Sequence, residues 1–83
     1  MQLALYYTQS CPYCIRVLTV LNTLAKKVEL KNISTSGELR QELVKQGGKS
    51  QVPCLKIIKQ DGRVTWLYES LDIIRFLRQL DGD

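Results

Sequence analysis

Pro12 splits the opening part of this chain into two segments that cannot form one element. Before it, Gln2-Leu3-Ala4-Leu5-Tyr6-Tyr7 is a short, mostly apolar run of strand length. It reads as a strand buried on both faces and ending near Thr8. After it, Cys14, Val17, Leu18, Leu21, Leu24 and Ala25 recur at the i, i+3, i+4, i+7 spacing of an amphipathic helix. Lys26 and Lys27 suit the C-terminal end of that helix. Proline is favoured as the first helical residue, because its missing N–H would have had no intrahelical partner there. Cys11 then becomes the helix cap, and Cys14 lies one turn deeper on the same side, within reach of a disulfide.

Cys-x-x-Cys at a strand–helix junction of a small intracellular protein reads as a redox dithiol. Unpaired backbone N–H groups and the positive end of the helix dipole converge at Cys11, and both favour thiolate over thiol. The chain has three cysteines. That odd number argues against a secreted disulfide framework, so a cytoplasmic location is expected. Histidine is absent, which removes Cys-His and Ser-His catalysis and a Cys₂His₂ zinc site. Whatever activates Cys11 must be backbone, helix dipole or a cation.

The 83 residues are enough for one domain, 1–83, with one core. Met1 to Leu5 shows no positive n-region or cleavage site, and no apolar run nears the ~20 residues of a spanning helix. Twelve basic and eight acidic residues give a net charge of +4. They are dispersed: Arg40 and Lys45 flank Glu42, and Arg75 and Arg78 follow Asp72. Such a surface attracts small anions rather than forming a nucleic-acid or membrane site.

Farther along, Val28, Leu30 and Ile33 read as a second strand, with Glu29 and Lys31 outward. Thr35 and Glu38 fit a capping box opening a helix with Leu39, Leu43 and Val44 inward, stopped by Gly47-Gly48. A loop, Ser50-Gln51-Val52-Pro53, leads into the apolar run Cys54–Ile58. Asp61-Gly62 is a hairpin signal, with a return strand from Arg63 to Tyr68. Ser70 is placed to cap a last helix with Ile73, Ile74, Leu77 and Leu80 inward, Phe76 alongside and Gly82 at its end. The order β-α-β-α-β-β-α predicts an α/β fold: a four-stranded mixed sheet with helices on both faces, in the thioredoxin-like arrangement.

Cys11-Pro12-Tyr13-Cys14, followed by Val52-Pro53, resembles a dithiol glutaredoxin over essentially the whole chain. Tyr68-Glu69-Ser70 with Asp72-Ile73-Ile74 resembles the Glu-Ser segment of glutathione transferase N-terminal domains. Taken alone, Pro53 also fits a trans proline in an ordinary turn, and Ser70 a plain cap. The resemblance implies more. The Val52–Pro53 bond would be cis, and the Val52 backbone would hold the cysteinyl part of glutathione. The γ-glutamyl end would give its ammonium to Glu69 and its carboxylate to Ser70 and the free N–H groups of the last helix. Tyr13 would line the groove, and Pro12 would keep the helix start rigid.

The implied activity is glutathione-dependent thiol–disulfide exchange on protein disulfides and glutathione mixed disulfides. Cys11 would be the nucleophile, Cys14 the resolving thiol and glutathione the reductant, with no metal and a monomeric chain. The implied potential is about −200 to −230 mV, above the thioredoxin value of about −270 mV.

Three positions depart from the commoner small glutaredoxins. Thr8 stands where they carry a basic residue, so the cation beside glutathione is expected from Lys49, with Arg40 behind it. Trp66-Leu67-Tyr68-Glu69-Ser70 replaces their Gly-Gly and Cys/Thr-Asp pattern. Cys54 follows Pro53, as a packing thiol or as a site of glutathionylation or a regulatory disulfide. Two other classes share the motif. One is a thioredoxin-like reductant fed directly by a flavoenzyme. The other is an iron–sulfur carrier in which two chains share a cluster through Cys11 and glutathione, which the stiffening by Pro12 disfavours. A transferase reading would need a helical second domain that these residues do not contain.

Overall fold

The computed structural model describes residues 1–24 and 27–82. The elements are β1 (Gln2–Tyr7), α1 (Pro12–Leu21), β2 (Glu29–Asn32), α2 (Gly37–Glu42), β3 (Cys54–Ile58), β4 (Val64–Leu67) and α3 (Ser70–Gly82). Helix α2 runs on as a π-helical turn over Leu43–Gly47. The sheet order is β2-β1-β3-β4, with β1 parallel to β2 and antiparallel to β3, and β3 antiparallel to β4. This is the expected mixed sheet of the thioredoxin-like fold.

β1 is an interior strand covered on both faces, which is why its apolar run is continuous rather than alternating. Leu3 and Leu5 pack with Val17 of α1, Leu55 and Ile57 of β3, and Ile73 and Leu77 of α3. Ala4 and Tyr6 face the opposite side, with Ile33, Leu43 and Cys54. Each leucine, isoleucine or valine among them taken fully from water contributes about 1.5–3 kcal/mol. The strand directions also decide where the chemistry sits. β1 ends at the same edge of the sheet where β3 begins, with Tyr6 opposite Cys54. β4 ends there too, with Leu67 opposite Leu55. The segments after β1, before β3 and after β4 therefore meet.

Several local expectations are corrected. Helix α1 stops at Leu21, short of Leu24. The Thr23 hydroxyl donates to the Val20 carbonyl at 2.7 Å, and the Thr23 and Leu24 N–H groups bond back only three residues. The side chain competes for the carbonyl and the turn tightens. Leu24 still packs on the core, Lys27 lies outside the helix, and Ala25 and Lys26 lie outside the described residues. In β2, Leu30 is exposed, whereas Lys31 is half-buried and donates to Glu42 Oε1 at 2.8 Å. Val28 and Ile33 pack on opposite faces. β2 is an edge strand none of whose residues is buried, so alternation there does not separate core from solvent, and the Glu42 carboxylate draws Lys31 inward.

The cap of α2 is Ser36, whose Oγ accepts the Leu39 N–H at 3.3 Å. Thr35 is turned away and donates to the Asn32 carbonyl. Leu43 is buried but Val44 is exposed, at the point where the helix widens into its π-helical turn. Gly48, at φ +87°, closes it. The Asp61-Gly62 hairpin forms as expected, with Gly62 at φ +88°. Arg63 belongs to the turn, its N–H held by Asp61. Helix α3 begins at Ser70, and the Ile73 N–H bonds the Glu69 carbonyl at 2.9 Å. Glu69 rather than Ser70 thus occupies the cap position, and Ser70 is the first helical residue. Ile73, Ile74 and Leu77 are buried as expected.

Candidate active site

Cys11 caps α1 with extended backbone, φ −87° and ψ 119°, and Pro12 is the first helical residue. The Cys11 carbonyl accepts the Ile15 N–H at 3.0 Å, and its Sγ accepts the Cys14 N–H at 3.4 Å. Both thiols are free. Cys11 is half-buried and Cys14 is closed off completely. Burial pushes the Cys14 thiol up to about 11; the neighbouring Cys11 adds to this, and hydrogen bonds from the Thr8 N–H and hydroxyl oppose it. Cys14 is therefore protonated at neutral pH, and Cys11 is the sulfur that solvent reaches. Thr8, which brings no cation to this site, acts on Cys14.

A groove of about 210 Å³ is lined by Tyr13, by Gln51-Val52-Pro53 and by Tyr68-Glu69-Ser70; the dithiol motif reaches it through Tyr13, while Cys11, Pro12 and Cys14 are not among its lining residues. The Val52–Pro53 bond is cis. Five residues picked from the sequence (Tyr13, Val52, Pro53, Glu69 and Ser70) thus converge on one cavity. Tyr13 is 60% exposed and forms its open lip. The start of α3 opens onto the groove, where a helix leaves its first N–H groups without intrahelical partners.

Lys49 is not part of the wall. Its Nζ lies 5.2 Å from the centroid of the ring of Tyr68, itself a groove residue. Arg40 is exposed on α2 and is not among the groove residues. Gln51 and Tyr68 are the groove residues that sequence reasoning missed. Gln51 Nε2 donates to the Tyr68 carbonyl at 3.5 Å, and the Tyr68 hydroxyl donates to the Gly47 carbonyl at 2.5 Å. Gly47 was the available signal: read only as a helix stop, it also makes room for an aromatic side chain.

Cys54 is fully buried in the α2-side core. Burial pushes its thiol up to about 12, and the neighbouring Tyr68 hydroxyl opposes this only in part. That is the setting of a packing thiol. Among the described residues, no group of three or more His, Cys, Asp or Glu stands together as metal ligands.

Residues 5–83 match the family described as Glutathione S-transferase, N-terminal domain. Glutaredoxin 1 of Rickettsia typhi (strain ATCC VR-144 / Wilmington) is 32% identical over 82 residues, covering 80% of this chain and 78% of that protein. The chain belongs to the glutaredoxin family. Glutaredoxin 1 of Rickettsia prowazekii (strain Madrid E) is 38% identical over 52 residues, 59% of this chain, and the match spans about half of that relative, 54%. A solved thioredoxin-like protein superposes with a TM-score of 0.71 at 23% identity, over 95% of this chain and 99% of its own. Within this glutaredoxin-family fold, the Cys11–Cys14 dithiol and the cis-proline loop stand at the same end of the sheet.

Proposed function

We propose that the protein is a glutathione-dependent thiol–disulfide oxidoreductase. The observation that carries this reading is the single groove joining the cis Val52–Pro53 loop to Glu69-Ser70 and to Tyr13, which stands between the cap cysteine Cys11 and its buried partner Cys14 in the chain. The family described as Glutathione S-transferase, N-terminal domain adds weight to glutathione as the ligand. The Val52 backbone holds the cysteinyl part of glutathione. The Glu69 carboxylate takes the γ-glutamyl ammonium in a charge-assisted hydrogen bond, and Ser70 with the free N–H groups of α3 takes the neighbouring carboxylate. Tyr13 shields the bound disulfide, Pro12 keeps the cap rigid, and Lys49 supplies positive charge beside Tyr68.

With a glutathionylated protein, the Cys11 thiolate attacks the glutathione sulfur. The Cys11–glutathione S–S bond forms as the old S–S bond breaks, and the protein leaves as its thiolate, which takes up a proton. A second glutathione thiolate then attacks the glutathione sulfur, giving glutathione disulfide and regenerating the Cys11 thiolate. With a protein disulfide, Cys11 forms a mixed disulfide with the substrate. Cys14 attacks the Cys11 sulfur, the substrate sulfur leaves as a thiolate that takes up the Cys14 proton, and two glutathiones then reduce the resulting Cys11–Cys14 disulfide and leave as glutathione disulfide. The buried, protonated Cys14 is a slow nucleophile at neutral pH, which gives free glutathione time to resolve the first intermediate. Such chemistry belongs in a reducing compartment such as the cytosol.

The test compares one peptide capped as a mixed disulfide with glutathione or with cysteamine, which lacks the γ-glutamyl and glycine parts. Wild type should prefer the glutathione form, and Glu69→Gln should raise KM for that form about tenfold. A wild type indifferent to the cap would remove the glutathione reading. So would a potential near the thioredoxin value of about −270 mV.

A further inference from the structure

Tyr68 ties the two halves of the groove together. It follows directly on β4 and precedes Glu69-Ser70, with which it lines the groove. Three alternate residues on the other side converge on it. Its hydroxyl donates to the Gly47 carbonyl at 2.5 Å, Lys49 Nζ sits 5.2 Å above its ring, and its carbonyl accepts from Gln51 Nε2 at 3.5 Å. The fit at Gly47 is tight: a Cβ there would stand 2.5 Å from the Tyr68 hydroxyl and 3.0 Å from Trp66 Cε3.

We propose that Tyr68 is a positioning residue for glutathione, locking the loop from Gly47 to Pro53 against Glu69-Ser70. The lock sets the separation between the Val52 backbone and the Glu69 carboxylate, the two points that must engage the cysteinyl and γ-glutamyl parts of one tripeptide. It also holds the Lys49 charge against the Tyr68 ring. A site fixed before the ligand arrives spares the ordering of its loop on binding, and the gain appears as affinity. This role rests on the glutathione reading above. An aromatic that only packed the sheet would change stability, or the handling of every disulfide, without distinguishing one cap from another.

The experiment measures kcat and KM of wild type, Tyr68→Phe and Tyr68→Leu on the glutathione-capped and cysteamine-capped peptides. Phenylalanine keeps the ring under Lys49 and loses the bond to Gly47. Leucine loses both. The preference for glutathione over cysteamine should fall about threefold in Tyr68→Phe and about tenfold in Tyr68→Leu, the change lying in KM rather than kcat. A preference unchanged in folded Tyr68→Phe overturns the proposal, as does an equal loss on both peptides. Should Tyr68→Leu fail to fold, Tyr68→Phe decides. A wild type without any preference removes the glutathione reading and this role with it. A wild-type preference that persists in the variants removes the role of Tyr68 alone.

Discussion

Cys14 donates its backbone N–H to Cys11 Sγ at 3.4 Å while its own side chain is sealed from solvent. The two halves of the motif are thus unequal before any substrate arrives. Burial, reinforced by Cys11, pushes the Cys14 thiol up to about 11. At pH 7 its thiolate fraction is about one in ten thousand. Iodoacetamide at neutral pH should place a single adduct on reduced protein, at Cys11. Labelling of Cys14 should appear only as the pH is raised toward 11. Peptide mapping checks this, and equal labelling of the two sulfurs at pH 7 would contradict the asymmetry.

The same inequality separates the two substrate classes. In Cys14→Ser, glutathione still resolves the Cys11–glutathione intermediate, so turnover of a glutathionylated peptide should stay within about threefold of wild type. Reduction of a protein disulfide needs an internal thiol and should fall by about two orders of magnitude. Parallel losses on both substrates would show that Cys14 has a role other than resolution.

Much of this was legible in the sequence because local signals and topology agreed. Pro12 and the change of apolar period located the strand–helix junction, and Asp61-Gly62 located the hairpin. Val52-Pro53 and Glu69-Ser70 were picked as two separate features. They form one groove because β3 and β4 are antiparallel neighbours that begin and end at the same edge. Three things were less legible, each for a physical reason. The α1 terminus depended on a Thr23 hydroxyl capturing a carbonyl. The exposure of Leu30 and the half-burial of Lys31 reflect an edge strand with no buried residue, where the Glu42 carboxylate rather than alternation decides which side chain turns inward. Tyr68 stands in the segment that the resemblance rests on, but its place in the groove was not legible because its partners lie at positions 47, 49 and 51, contacts that only the folded chain creates.

At the partly exposed margin of the α2-side core stands a polar centre that should govern the pH dependence of stability. Glu42 Oε1 accepts from both Tyr6 Oη and Lys31 Nζ, the latter at 2.8 Å. The Lys31 and Tyr6 hydrogen bonds lower the Glu42 carboxyl below its ordinary value of 4.5. A depressed folded-state value means this contribution is complete above pH 4.5 and is lost as the pH falls through the folded value. Glu42→Gln should cost about 1–2 kcal/mol at pH 7 and flatten the acid limb. On the alkaline side, burial raises the Tyr6 phenol and the Cys54 thiol, the latter from 9.0 to about 12. The Cys54 contribution is therefore complete below pH 9 and is lost as the pH rises toward 12. Urea midpoints across pH should show both limbs, with Cys54→Ala flattening the second. A Glu42→Gln profile parallel to wild type below pH 5 would reject the assignment to Glu42.

The contact between Gly47 and Tyr68 makes a prediction that neither residue makes alone. An alanine at 47 would bring its Cβ to 2.5 Å from the Tyr68 hydroxyl and 3.0 Å from Trp66 Cε3. The hydroxyl cannot simply swing clear, because the Gly47 carbonyl is its own acceptor and Cys54 lies against it. Gly47→Ala should therefore destabilise by about 1–3 kcal/mol through overpacking, although alanine ordinarily favours a helical position. Tyr68→Phe removes the nearest clashing atom at the cost of one hydrogen bond, about 1 kcal/mol. If the clash is the cause, the double variant should be more stable than the sum of the two losses, by about 1 kcal/mol, because neighbouring sites sharing one contact are not additive. Chemical denaturation of wild type, both single variants and the double variant closes the cycle. Strict additivity would show that the penalty at 47 comes from Trp66 or the backbone, and that the hydroxyl of Tyr68 is free to move.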